Sequence, residues 1–300
     1  MPSWRSTLTA AEITEAPLRA DYTAAARRVL RREQAPYLAL RLLAAPPLVP
    51  YLAAGLAFMN LVDDVAESGT PQERERGLKE LTDRVGEALE SGRSADPVLR
   101  AYAHAVAVRE LPVRWVTDFL AGAASAEAGF AGFDTERDFQ AYLDAYAWPG
   151  VVVFTGLQYR GGPDEAAAAG WRRFVDAAQR ADFLADLAGD LAAGRLCIPR
   201  DRLAEHGVTR AELEQGRDGA AVRALLADQC ARARAALDAA ADVVDLADPG
   251  LRAVGRMMTE LMAHQLAAVE RAGVRALRRD VGYGVLAPLR ILARARRGRG

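Results

Sequence analysis

An all-α helical bundle is the fold that this 300-residue chain predicts. Two observations carry the prediction. Alanine, leucine and arginine dominate, and these favour helix, while strand-like alternation is almost absent. Helix breakers also recur at intervals of a helix length, with no long polar linker between them. In chain order the pattern predicts helices over about 17–34, 47–68, 71–92, 97–108, 112–130, 135–147, 151–160, 165–193, 209–215, 219–245, 248–277 and 281–297. The breaks fall at Pro46 with Pro47, Gly69, Pro97, Pro112, Gly132, Pro149 with Gly150, Gly161 to Pro163, Pro199, Gly207 and Pro249. No fixed-period repeat is present, so one domain spanning residues 1–300 is expected.

Composition excludes several function classes. The chain is 51% hydrophobic and 26% charged, which is globular rather than disordered or fibrous. A net charge of −1 and a pI near 6.4 argue against a nucleic-acid partner. Its basic residues are nearly all arginine, Lys79 being the single lysine, and the basic run from Arg290 to Arg299 reads as a solvated tail. Cys197 and Cys230 form no CxxC pair, so no disulfide framework is expected and the compartment reads as reducing. The first ten residues are polar, and the apolar stretch from Leu42 to Val65 carries three prolines and then two aspartates. A cytoplasmic enzyme without stable membrane insertion is therefore expected. His104, His206 and His264 are scattered without metal-ligand spacing, and Gly161-Gly162 follows no strand and makes no phosphate loop.

Two predicted helices carry acidic groups that a plain core does not want. The helix at 47–68 is apolar up to Asp63-Asp64-Val65-Ala66-Glu67 and places these carboxylates at its C-terminal end, the worse end for negative charge. The helix at 165–193 carries Asp182, Asp186 and Asp190 at i, i+4 and i+8, on one face within about 80°. Like charges at that spacing oppose helix formation. A cation relieves the repulsion, and carboxylate oxygens suit Mg²⁺, which is commonly shared between one or two carboxylates and a substrate phosphate. Asp63 and Glu67 share a face at i, i+4, so two facing clusters can hold Mg²⁺ around one diphosphate and make it a better leaving group. The bland alternative is a pair of solvated faces neutralised by arginines such as Arg180 and Arg195.

These residues resemble the squalene/phytoene synthase family. Its members carry Gln-x-x-Asn-x-x-x-Asp-x-x-(Glu)-Asp, then Gly-Arg, an aromatic-Leu-Pro, an acidic-rich turn and Phe-Gly-Val. This chain reads Gln179, Asp182, Asp186, Asp190, Gly194-Arg195, Cys197-Ile198-Pro199, Arg200-Asp201-Arg202-Leu203 and His206-Gly207-Val208. The segment Asp63 to Glu67 is similar to the family's first aspartate-rich motif, and Tyr37 to Leu43 to its opening helix. Phe133 to Glu136 and Tyr146 to Gly150 resemble its central region.

The resemblance implies the all-α isoprenoid-synthase fold, like that of the trans-prenyl diphosphate synthases, with a central cavity and Mg²⁺ at the two motifs. It implies metal ligation by Asp63, Glu67, Asp182, Asp186 and Asp190, with Asp64 assisting or holding their surroundings. It also implies diphosphate contacts from Tyr37, Arg41, Gln179 and Arg278. Phe58, Asn60, Tyr146, Trp148, Val153 and Phe183 are expected at the cavity. Of these, Phe58, Tyr146, Trp148 and Phe183 are candidates to face a carbocation, although aromatics at helical spacing usually pack a core.

The departures from the family pattern sharpen the expectation. An arginine three residues before the first motif is here Asn60, and an earlier basic site is Val49-Pro50. The second motif's Glu is Gly189 and its Asn is Asp182. A family Val-Ala-Gly-x-Val-Gly is Trp148-Pro149-Gly150-Val151-Val152-Val153, which should narrow or reshape the cavity. Typical members join two prenyl diphosphates head to head, and losing arginine's bidentate fork weakens the binding of two. A single allylic donor with a different, uncharged acceptor fits better. That resembles the squalene-synthase-like prenyltransferases of secondary metabolism that modify a carbazole, a branch that implies dimethylallyl diphosphate as donor and a small aromatic acceptor. A head-to-head squalene or phytoene synthase, a terpene cyclase on the same scaffold and a non-catalytic relative remain alternatives, and oligomeric state stays open.

Overall fold

The structure, a computed structural model, describes residues 1–282, 284 and 286–297. Seventeen α-helices are formed among them, no strand is present, and a lone bridge pairs Gly132 with Leu196. The all-α expectation holds. The expected end of the basic tail, 298–300, lies outside the described residues.

The chain opens with α1 (Trp4–Ala10), α2 (Ala16–Arg32) and α3 (Gln34–Leu43). The sequence pattern missed α1; α3 is the segment that resembled an opening helix, and Glu33, with φ/ψ of −137°/74°, separates it from α2. α4 (Val49–Glu67) is the central helix and packs against α2, α5, α6 and α9. It is long and apolar enough to cross a membrane, but 72% of its apolar window is buried within the protein. Gly55 lets it approach α9, since a Cβ there would stand 2.8 Å from the Phe154 Cα.

α5 (Pro71–Ser91) starts on a capping box between Thr70 and Glu73, in which each side chain satisfies the other's backbone, and ends at Gly92 with φ +69°. α6 (Pro97–Arg109) is capped by Asp96, which accepts from Val98 N–H.

Two helices then relax into π turns. α7 (Val113–Gly122) runs into a π segment at Ala123–Glu127, and α8 (Glu136–Tyr142) runs through a second at Leu143–Ala147 into α9 (Trp148–Thr155). Pro149, expected as a break, is therefore inside a continuous helical segment. Proline has no N–H to give the carbonyl of Ala145, and a π turn just before it absorbs the missing bond. That carbonyl is where Gly122 approaches: a Cβ at Gly122 would lie 1.9 Å from the Ala145 oxygen.

The remaining helices are α10 (Glu165–Ala185), α11 (Leu187–Ala192), α12 (Arg200–Glu205), α13 (Arg210–Glu214), α14 (Ala220–Ala239), α15 (Val243–Leu246), α16 (Arg252–Ala272) and α17 (Leu286–Arg297). α10 packs on α14 and α16. Its expected continuation through 193 is broken at Asp186, whose φ/ψ of −98°/12° ends α10 and starts α11.

Candidate active site

A cavity of about 530 Å³ opens between α4, α7, the two π segments, α9, α10, α11 and α16. Each wall is a helical stripe. α4 presents Met59, Asp63 and Glu67 at i, i+4 and i+8. α10 presents Phe174, Ala178 and Asp182 together with Val175, Gln179 and Phe183, and Asp186 follows in register. α16 supplies Met258, Leu261, Met262 and Gln265. The π segments deliver Glu127 and Tyr146, consistent with the tendency of π turns to occur at functional sites. On both α4 and α10 the apolar residues come first and the acids last, so one part of the cavity is acidic and the rest is lined by apolar and aromatic side chains.

The five carboxylates expected to hold metal all line this cavity: Asp63, Glu67, Asp182, Asp186 and Asp190. Gln179, Tyr146 and Phe183 are there too. Tyr146 donates a 2.7 Å hydrogen bond to Asp63, and its ring stacks on Phe119 at 5.5 Å. Burial, opposed by that hydrogen bond and reinforced by Glu67, pushes the Asp63 carboxyl up to about 6. Asp182 faces open cavity space, but the cavity is walled by protein. Desolvation, with Asp186 and Asp190 as like charges, raises its carboxyl to about 6. Asp186 is raised too, by burial first and then by the like charges of Asp280 and Asp190. Among the described residues Asp63, Glu67, Asp182 and Asp186 make no ion pair; Arg180, which the sequence offered as a neutraliser, is turned to Glu136 and Asp176.

Asp190 is the tethered member. Cys197 donates its thiol to Asp190 at 3.1 Å, and Arg195 lies 3.6 Å from it. Arg195 also reaches Glu127 at 3.4 Å and lies over the Phe130 ring at 4.8 Å, while Tyr142 donates to Glu127 at 2.7 Å. Burial raises the Glu127 carboxyl and the Cys197 thiol. Sequence reading did not single out Glu127, Tyr142, Met59, Gln265 or Met262 as site residues. Met59 alone carried a signal, being one turn before Asp63 on the same face.

Several expected residues are elsewhere. Asp64 is ion-paired to Arg28 and Arg32 of α2, on a different face of α4 from Asp63. Phe58 is fully buried and stacks on Tyr102 at 4.0 Å. Asn60 is buried beside Arg28, which reaches its carbonyl at 3.5 Å. Helix phase explains both, since one residue before or after Met59 is a turn of about 100° from the cavity stripe. Trp148 packs on Trp115 at 5.7 Å, and buried Val153 gives its carbonyl to Tyr102. Arg41 is buried against Trp4, bonding Tyr37 at 3.2 Å and the Pro2 carbonyl at 2.7 Å. Arg278 donates to the Gly216 carbonyl at 3.2 Å. None of these lines the cavity, so the expected diphosphate contacts from Tyr37, Arg41 and Arg278 and the expected cavity positions of Phe58, Asn60, Trp148 and Val153 are corrected. Arg195 is the one arginine in the cavity lining among the described residues.

Among the described residues no three His, Cys, Asp or Glu side chains converge into a ready-made metal centre. The carboxylates instead stand on opposing elements, an arrangement that suits a cation taking one or two carboxylates and filling its shell with phosphate oxygen and water.

Comparison with known proteins agrees with this architecture. Residues 14–285 match the squalene/phytoene synthase family. A bifunctional protein CrtB/UppS of Streptomyces coelicolor is 27% identical over 189 residues, which is 63% of this chain and 33% of that protein's length. Among solved structures, squalene synthase HpnC from Alicyclobacillus acidocaldarius superposes with a TM-score of 0.71 at 24% identity, covering 90% of this chain and 96% of that one. A dehydrosqualene synthase in complex with ligand gives 0.80 at 17% identity, covering 94% and 97%. YisP from Bacillus subtilis gives 0.68 at 16%, covering 92% and 96%. These structural likenesses establish the shared fold.

Proposed function

The chain belongs to the squalene/phytoene synthase family, and from that premise we propose that it is a Mg²⁺-dependent prenyltransferase that ionises one allylic prenyl diphosphate, dimethylallyl diphosphate, and transfers the prenyl group to a small aromatic acceptor of the carbazole type. The observation that carries the reading is the convergence of Asp63 and Glu67 with Asp182, Asp186 and Asp190 on one cavity that holds a single arginine among the described residues. Two diphosphates bring more negative charge than that lining can match, and the arginines expected to help, Arg41 and Arg278, are committed elsewhere.

Asp63, Glu67, Asp182, Asp186 and Asp190 would hold Mg²⁺ together with the donor's diphosphate. When bound, the metal supplies positive charge that neutralises the departing diphosphate. Tyr146 fixes the orientation of Asp63 through its hydroxyl, and Cys197 and Arg195 fix Asp190. The allylic C–O bond breaks and pyrophosphate leaves with the electron pair. Phe119, Tyr146 and Phe183 present rings to the resulting cation, and the apolar wall keeps out the water that would quench it. A π pair of the acceptor ring then forms the new C–C bond, and the ring carbon loses its hydrogen as a proton.

A second reading, head-to-head condensation of two prenyl diphosphates, is favoured by the fold shared with a squalene synthase and a dehydrosqualene synthase. Product mass separates the two. Purified protein with Mg²⁺ is incubated with C5, C10, C15 and C20 diphosphates, each alone and with a hydroxylated carbazole. An acceptor heavier by one prenyl unit supports the aromatic transfer; a C30 or C40 hydrocarbon from donor alone overturns it.

A further inference from the structure

The break in the second acidic helix is made by another part of the chain. In an uninterrupted helix the N–H of Gly189 would donate to the carbonyl of Ala185. Here that bond is replaced at both ends by one dipeptide. The Asp280 carboxylate accepts from Gly189 N–H at 2.8 Å, and Val281 N–H donates to the Ala185 carbonyl at 2.7 Å. The helical ladder runs up to Asp186 N–H, which donates to Asp182, and resumes at Asp190 N–H, which donates to Asp186, both at 2.9 Å. A side chain inserted into the helical ladder bends a helix at that point. Asp186 is the residue at the bend.

Gly189 is what the insertion needs. A Cβ there would stand 3.0 Å from the nearer Asp280 carboxylate oxygen and 3.3 Å from the other. A side chain at 189 therefore requires the carboxylate to shift from the position in which it caps the N–H. The Asp280–Val281 dipeptide follows α16 by several residues in the chain, so the geometry of the acid stripe is set partly from outside the helix that bears it.

We infer that Asp280 is a positioning residue of the diphosphate site, holding the α10–α11 break open so that Asp186 is aimed into the cavity between Asp182 and Asp190. This rests on the function proposed above. Its contribution is the acceptor oxygen on Gly189 rather than ligation of the metal, and closing the ladder straightens the helix at Asp186 and so shifts Asp186 and Asp190 relative to Asp182.

The experiment measures the Mg²⁺ concentration for half-maximal rise in melting temperature, at fixed inorganic pyrophosphate, for the full chain and for Asp280→Ala, Asp280→Asn and Gly189→Ala. Loss of a residue that orients a metal ligand weakens metal affinity about tenfold or more. That loss is expected for Asp280→Ala and Gly189→Ala, while Asp280→Asn, which keeps an acceptor oxygen, stays within about twofold of the parent. Gly189→Ala is the decisive variant. With a better helix former its melting temperature without metal is held or raised, so weakened Mg²⁺ response there is not a loss of fold. Unchanged affinity in Gly189→Ala and Asp280→Ala overturns the inference alone. An Asp280→Asn as weak as Asp280→Ala also overturns it, because the charge and not the acceptor then matters. Absence of any response in the parent chain overturns the functional reading along with it.

Discussion

Tyr146, carried on the π segment after α8, donates a 2.7 Å hydrogen bond to Asp63 near the end of α4. It ties the first acidic motif to the opposite wall of the cavity and opposes the burial that raises the Asp63 carboxyl. Tyr146→Phe removes one hydrogen bond to a charged group, a contribution of about 1.5–3 kcal/mol. The expected result is a weaker Mg²⁺ requirement curve and a loss of kcat/KM of roughly tenfold, with the acidic limb of the pH–rate profile moved to higher pH. A steady-state profile from pH 5 to pH 8 checks it, and an unmoved limb counts against the assignment.

Asp182→Asn should separate stability from activity. Removing one of three stacked charges relieves repulsion, so the melting temperature in EDTA is expected to rise at pH 7.5, while activity with Mg²⁺ falls about a hundredfold or more, a few kcal/mol. The stability gain has a defined pH window. Asp182 sits at about 6 in the folded chain against an ordinary 3.8. The folded state therefore binds the extra proton between those values, and the parent loses stability as pH rises through about 6. The gap between variant and parent is expected to be full at pH 7.5 and to close below about pH 4. Thermal melts of both proteins across that range test the sign.

Asp64 should behave unlike its neighbour. It pairs with Arg28 and Arg32 rather than with the cavity, and all three side chains are partly exposed. Such pairs contribute about 1 kcal/mol or less. Asp64→Asn is expected to lower the melting temperature by about 2 °C and to leave Mg²⁺ affinity within a few-fold. A loss as large as that of Asp63→Asn would move Asp64 into the metal-binding set.

Gly122→Ala tests the packing that holds the two π segments together. The added methyl would meet the Ala145 carbonyl at 1.9 Å, and a backbone atom cannot swing aside. At Gly150 the clash is with the Phe119 ring at 2.9 Å, a side chain that can rotate. Gly122→Ala should cost about 3 kcal/mol or more and Gly150→Ala clearly less, read from denaturant unfolding of the two variants. Equal costs would mean the π segments yield.

The sequence determined the helical class, the family resemblance and the five cavity carboxylates, because those are local facts. Composition sets helix, and spacing at i, i+4 and i+8 puts Asp182, Asp186 and Asp190 on one face whatever surrounds them. The tertiary structure decided which neighbours of those acids reach the cavity and which arginines are free. Phe58 and Asn60 lie one residue from a cavity position and about 100° away from it, while Arg41 and Arg278 are spent on the carbonyls of Pro2 and Gly216. Distant chain also decided the break at Asp186. A hydrogen bond between Gly189 and Asp280 joins positions 91 residues apart, and no periodicity within α10 or α11 encodes it.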